Sequence, residues 1–140
     1  MAGCLIDASI TLAWLFNEGG RGVALDRQIE PLELFAPWLW RLEVVNVILV
    51  RERRRQITQA QGTRLLEALE ALDIEVVGEP VNRTLSSLAQ TARPHQLTAY
   101  DAIYLDFAIS LALPLFTDDA NLRLAAERVG VPVIEPASSS

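Results

Sequence analysis

The chain has 140 residues, 51% of them hydrophobic, and a formal net charge of −6. That length suits one domain able to bury roughly 70% of its unfolded surface, and the apolar content excludes a disordered chain. The acidic balance excludes attraction to nucleic acid by the whole-molecule field, so such binding needs a local basic patch.

All 12 basic residues are arginine, which rules out Schiff-base and P-loop chemistry, both of which need a lysine. The single cysteine, Cys4, cannot form an intrachain disulfide and lies in an apolar run, where it reads as a small core residue. A reducing compartment is the natural setting. No apolar run reaches the ~20 residues that cross a bilayer. The expectation is a soluble, cytoplasmic protein without membrane contact, folded over residues 1–135 with a flexible tail at 136–140.

In chain order, residues 3–7 form a short apolar run ending in an acid, the pattern of a buried strand. Ser9 is placed to cap a helix through Phe16, which Gly19 and Gly20 break. A weaker helix spans 22–30, and 34–36 is a short strand. Pro37 opens a long helix over 38–54, since proline is tolerated at a helix start. Thr58 caps another helix, with Leu65, Leu66, Leu69 and Leu72 at helical spacing. Residues 74–77 read as a strand, 81–91 as a helix and 93–96 as a loop. Thr98 caps a strongly apolar helix over 99–113. Residues 115–116 form a strand, 120–129 a helix closed by Gly130, and 131–134 a last strand. Apolar strands alternating with helices predict an α/β domain with a mainly parallel sheet covered on both faces. Such sheets carry their sites beyond the carboxyl ends of the strands.

Four acids stand out against this pattern. Asp7 ends an apolar strand, where an unpaired charge is costly, although a helix cap would explain it equally well. Glu43 interrupts the apolar helix Trp38-Leu39-Trp40-Arg41-Leu42-Glu43-Val44-Val45-Asn46 and needs a partner. Arg41 or another arginine is the simple candidate, and Asn46 shares its face. Asp101 stands three residues after Thr98, and capping accounts for it as well as function does. Asp106 is rotated about 140° further round the helix and falls outside the cluster. Asp119, on the same side of an extended segment as Thr117, is favoured over an exposed Asp118. If the four converge, they require a cation. Hard oxygen ligands without a Cys or His cluster suit Mg²⁺ or Mn²⁺. His95, alone in a loop, reads as a solvated residue.

At these positions the sequence resembles the PIN-domain ribonucleases, and specifically the VapC-type toxins of type II toxin–antitoxin pairs. The stretches that carry the resemblance are Leu5-Ile6-Asp7-Ala8-Ser9, Pro37-Trp38-Leu39-Trp40-Arg41-Leu42-Glu43, Leu97-Thr98-Ala99-Tyr100-Asp101-Ala102 and Leu115-Phe116-Thr117-Asp118-Asp119. The resemblance implies a three-layer α/β/α fold with a central parallel sheet of four to five strands. It implies metal ligation and catalysis by Asp7, Glu43, Asp101 and Asp119, with Ser9, Asn46 and Thr117 supporting the carboxylates. It further implies an Mg²⁺- or Mn²⁺-dependent endoribonuclease leaving a 5′-phosphate and a 3′-hydroxyl, and a VapB-type antitoxin partner. Arg51, Arg53, Arg54 and Arg55 could contact RNA phosphates or simply form a solvated helix end. The apolar 38–50 helix could support a homodimer. Among competing classes, a phospho-acceptor receiver domain lacks its late lysine here. A non-catalytic PIN-fold interaction module would share the fold and differ only in lacking RNA cleavage.

Overall fold

The computed structural model describes residues 2–79 and 83–139. Five short strands form one wholly parallel sheet: β1 (Gly3–Ile6), β2 (Glu33–Pro37), β3 (Ile74–Val77), β4 (Leu115–Phe116) and β5 (Val133–Ile134), in the order β3-β2-β1-β4-β5. β1 sits at the centre, with Leu5 opposite Phe35 on one side and opposite Leu115 on the other. Cys4, Leu5, Leu115 and Phe116 are fully buried, as expected for strands covered on both faces.

Seven helices complete the domain: α1 (Ala8–Leu15), α2 (Gly22–Ile29), α3 (Leu39–Arg53), α4 (Gln59–Glu70), α5 (Leu85–Ala92), α6 (Ala99–Leu111) and α7 (Ala120–Arg128). They pack in two sets, α1 against α2 and α3 with α4 beyond, and α6 against α5 and α7. Right-handed crossovers require this division. The chain moves one way across the sheet from β1 to β3 and the other way from β3 to β5, so α1–α4 cover one face and α5–α7 the other. The direction reverses between β1 and β4, and the crevice beyond their carboxyl ends is where such sheets hold their sites.

Several boundaries differ from the sequence expectation. Asp7, not Ser9, caps α1, because its extended backbone (φ −107°, ψ 177°) lets its carboxylate accept from the Ile10 N–H. Pro37 closes β2 rather than opening α3. At the last strand position it forfeits one ladder bond, and the Trp38 N–H restores the pairing with β3 at the Val77 carbonyl, 2.8 Å away. Thr58 and Gln61 form the full capping box of α4. The expected 81–91 helix starts later, at Leu85 behind a Thr84 cap, and Val81 and Asn82 lie outside the described residues. Residues 93–95 form a 3-10 turn instead of an open loop. α6 stops at Leu111 because Ala112 turns left-handed (φ 53°). In the segment after β5, the Gln28 side chain accepts from the Ala137 N–H and donates to the Glu135 carbonyl. Ser140, the end of the expected tail, lies outside the described residues.

Candidate metal centre

Three of the four singled-out acids stand at the N-terminal end of a helix above the carboxyl edge of the sheet. Asp7 caps α1, Asp119 caps α7 and Asp101 lies in the first turn of α6, whereas Glu43 lies in the second turn of α3. Helix N-termini carry positive dipole ends, so they favour negative charge at the first three positions.

Asp7 is the most enclosed, at 3% exposure. The Ser9 hydroxyl lies 2.7 and 2.9 Å from its two oxygens, and the Thr117 hydroxyl donates to Oδ2 at 2.5 Å. Ser9 and Thr117 also contact each other at 3.1 Å, and Ser9 Oγ accepts from the Asp118 N–H. Thr117 in turn accepts from the Asp119 N–H at 3.0 Å. The ends of β1 and β4 are therefore stitched together through one carboxylate. Burial pushes the Asp7 carboxyl up to about 6. The Thr117, Ile10 and Ser9 hydrogen bonds oppose that rise, and the Asp101 charge adds to it.

Asp101 links the set. Its N–H donates to the Thr98 hydroxyl, which caps α6, and that hydroxyl is also the hydrogen-bonding neighbour of its carboxylate. Burial pushes it up to about 6, and the neighbouring charges of Asp119 and Glu43 push it further in the same direction. Asp101 is thus the acid whose charge reaches each of the other three. Glu43 is half-buried, and burial raises its carboxyl, opposed by a hydrogen bond from Tyr104. Its partner is this phenol, 2.5 Å from Oε1, and not Arg41, which is exposed. Asp119 Oδ1 accepts from the Leu122 N–H.

The carboxylates are electrostatic neighbours, yet no three His, Cys, Asp or Glu side chains among the described residues stand close enough to ligate one ion directly. Each acid instead meets a neutral donor, Asp101 through Thr98. This leaves Oε2 of Glu43 and Oδ2 of Asp119 without hydrogen bonds among the described residues. Hard, unprotonated oxygens whose charges repel are a donor set suited to Mg²⁺ or Mn²⁺.

The remaining candidates divide. Ser9 and Thr117 hold Asp7, whereas Asn46 is exposed and bonds none of the four carboxylates. Asp118 is half-buried rather than exposed as expected. Arg21 grips it with two parallel bonds of 2.8 and 2.9 Å, which hold its carboxyl below the ordinary range. Asp106 is paired with Arg83 rather than lying on the open surface. Arg51 stacks over Phe16, 3.8 Å from the ring centre, and sits 3.6 Å from Glu18, so it is engaged within the protein. Arg53, Arg54 and Arg55 are exposed. They begin ten residues past Glu43, about 15 Å along the helix axis. Sequence reasoning missed two partners, Tyr104 and Arg21. Tyr104 stands three residues after Asp101 on the same helix face, a spacing that could have marked it. Arg21 and Asp118 are 97 residues apart, and nothing local links them.

The chain is a parallel α/β domain with four acids at the edge where the strand order reverses. The PIN domain family model matches residues 4–128, and the chain belongs to that family. It is similar to proteins described as Ribonuclease VapC1 from Mycobacterium tuberculosis strains H37Rv and CDC 1551. Identity is 29% over 126 residues, covering 89% of this chain and 92% of each relative. In fold it is similar to PAE2754 from Pyrobaculum aerophilum, with TM-score 0.66, 24% identity, and coverage of 89% of this chain and 84% of that one. It is also similar to FitAcB from Neisseria gonorrhoeae, with TM-score 0.64, 19% identity, and coverage of 95% and 97%.

Proposed function

We propose that this chain is a divalent-metal-dependent endoribonuclease, the toxin of a toxin–antitoxin pair, with Asp7, Glu43, Asp101 and Asp119 as its metal-holding and catalytic acids. The observation that carries this reading is that Asp101 is coupled by charge to Asp7, Glu43 and Asp119, which stand on three other elements at the same sheet edge. Capping accounts for Asp7 and Asp119 singly, but gathering four carboxylates costs stability that a cation would offset. The family and the ribonuclease name of its relatives supply RNA as the substrate class.

When bound, Mg²⁺ or Mn²⁺ supplies Lewis acidity toward water and the scissile phosphate. The protein's own part is preorganisation. Ser9 and Thr117 lock Asp7, so its carboxylate cannot rotate away. The Asp119 cap and its Thr117 contact fix the start of α7. Thr98 holds the start of α6 and the Asp101 carboxylate with it. No imidazole takes part in this network, and the only histidine, His95, lies in the turn before α6. Arg53, Arg54 and Arg55 are the exposed cations that guide the RNA backbone against the net charge of −6.

A VapB-type antitoxin is the proposed partner, covering the acidic edge. A second copy of the chain is proposed to pack on the apolar α3, beside but not over Glu43, which lines the groove of about 790 Å³ between α3, α5 and α6. Leu42 and Tyr100 line it at 65% and 63% exposure. No helix among the described residues is long and apolar enough to cross a membrane, and the lone thiol suits the cytoplasm.

The test is cleavage of single-stranded RNA by purified protein in Mg²⁺, with and without EDTA. The expected products carry 5′-phosphates, and EDTA abolishes them. Cleavage by an Asp7→Asn/Asp101→Asn double variant would refute the four-acid assignment, and absence of cleavage by the wild type in Mg²⁺ would leave the interaction-module reading.

A further inference from the structure

We infer that Tyr104 is a positioning residue for the metal-holding acids, fixing Glu43 so that only one of its oxygens remains to meet the cation. The inference rests on the metal-site reading above and extends it to a residue which that reading does not include. Tyr104 is 1% exposed and lies among apolar core residues. A phenol so placed would ordinarily be a filler, but here its hydroxyl emerges at the acidic edge and donates to Glu43 Oε1 at 2.5 Å. The backbone N–H of Ala8, next to Asp7, faces the same phenolic oxygen. One side chain thus ties the start of α1 to α3 from its seat on α6. Those three elements carry Asp7, Glu43 and Asp101. The spacing Asp101-x-x-Tyr104 places the phenol one helical turn below the Asp101 carboxylate, on the same face.

Glutamate needs such a restraint more than the aspartates do. Its side chain has one more rotatable bond, and Glu43 has no other hydrogen-bond partner among the described residues. Both shorter acids with buried or capping roles are held by backbone N–H groups, Asp7 by Ile10 and Asp119 by Leu122. Tyr104 performs that service for Glu43. Outer groups that orient ligating carboxylates typically change metal affinity by about 10–100-fold when removed.

The experiment compares Tyr104→Phe with wild type by Mn²⁺ titration of the full chain without RNA, followed by electron paramagnetic resonance of free Mn²⁺. Thermal unfolding in EDTA accompanies it. The expected result is Mn²⁺ affinity weakened by roughly tenfold or more, with a folded chain in EDTA. In cleavage assays kcat falls while KM for RNA is unchanged. The same substitution is repeated in a Glu43→Gln background, where positioning of the carboxylate no longer matters and Tyr104→Phe should change Mn²⁺ affinity less than twofold. An equal loss of affinity in both backgrounds would assign Tyr104 a purely structural role and overturn the inference. So would Mn²⁺ affinity within twofold of wild type in the single variant. Absence of Mn²⁺ binding by the wild type would instead overturn the metal-site reading itself, and this inference with it.

Discussion

Replacing Asp7 by asparagine should stabilise the metal-free protein while abolishing its activity. The Asp7 carboxyl is 3% exposed and pushed from its ordinary 3.8 up to about 6, chiefly by burial. A rise of that size corresponds to about 3 kcal/mol of folding free energy lost at neutral pH, at about 1.4 kcal/mol per tenfold change. Asparagine retains the cap to the Ile10 N–H. The Ser9 and Thr117 hydroxyls must turn to accept from its amide, which offsets about 1 kcal/mol. The net gain is about 2 kcal/mol at pH 7, or about 5–8 °C in melting temperature for a domain of this size. The sign follows from the raised carboxyl. Below pH 3.8 Asp7 is protonated in both folded and unfolded chains, so its charge costs nothing. As pH rises through about 6, the folded state must give up a proton it holds more tightly, and wild-type stability falls relative to the variant. Thermal unfolding of both proteins in EDTA from pH 4 to 8 measures the difference. A variant less stable than wild type at pH 7, or a gap that does not change between pH 4 and 7, would refute the reasoning.

Burial pushes the Cys4 thiol up to about 12. Ellman's reagent should leave it unreacted in the native protein and modify it on unfolding; rapid native labelling would contradict its core placement. Substituting Arg53, Arg54 and Arg55 together with alanine should lower the log–log salt slope of RNA binding by about 2, at ~0.7 per phosphate contact. An unchanged slope would place the RNA elsewhere. Arg21→Ala and Asp118→Ala should each cost about 1 kcal/mol, and the double variant no more than either alone, because they remove one shared ion pair. Additive losses in urea unfolding would show that the pair is not coupled.

The fold was largely legible because parallel strands buried on both faces leave uninterrupted apolar runs, as in Cys4-Leu5-Ile6 and Leu115-Phe116. Helix caps such as Thr58 and Thr98 carried their local signatures into the structure. Where two residues could each perform a local task, the sequence left the choice open. Asp7 and Ser9 both cap helices well, and only the backbone angles at Asp7 decided between them. Pro37 suits a helix start and a strand end alike. The four acids were visible as charges set against apolar surroundings. The groups that hold them were less so, since Tyr104 meets Glu43 across 61 residues and Thr117 meets Asp7 across 110. Buried phenols in apolar runs read as core until the fold shows where the hydroxyl emerges. The doubled aspartate divides by a similar long-range contact, Arg21 engaging Asp118 while Asp119 caps α7.

The most direct test of the central claim is a cleavage panel on single-stranded RNA in Mg²⁺. Asp7→Asn, Glu43→Gln, Asp101→Asn and Asp119→Asn are compared with wild type, and Asp118→Asn serves as the control beside the site. Each of the first four should lose at least ~100-fold in rate while remaining folded, and Asp118→Asn should retain most activity. Cleavage that survives in any of the four, or is lost in Asp118→Asn but kept in Asp119→Asn, would contradict the proposed four-acid site.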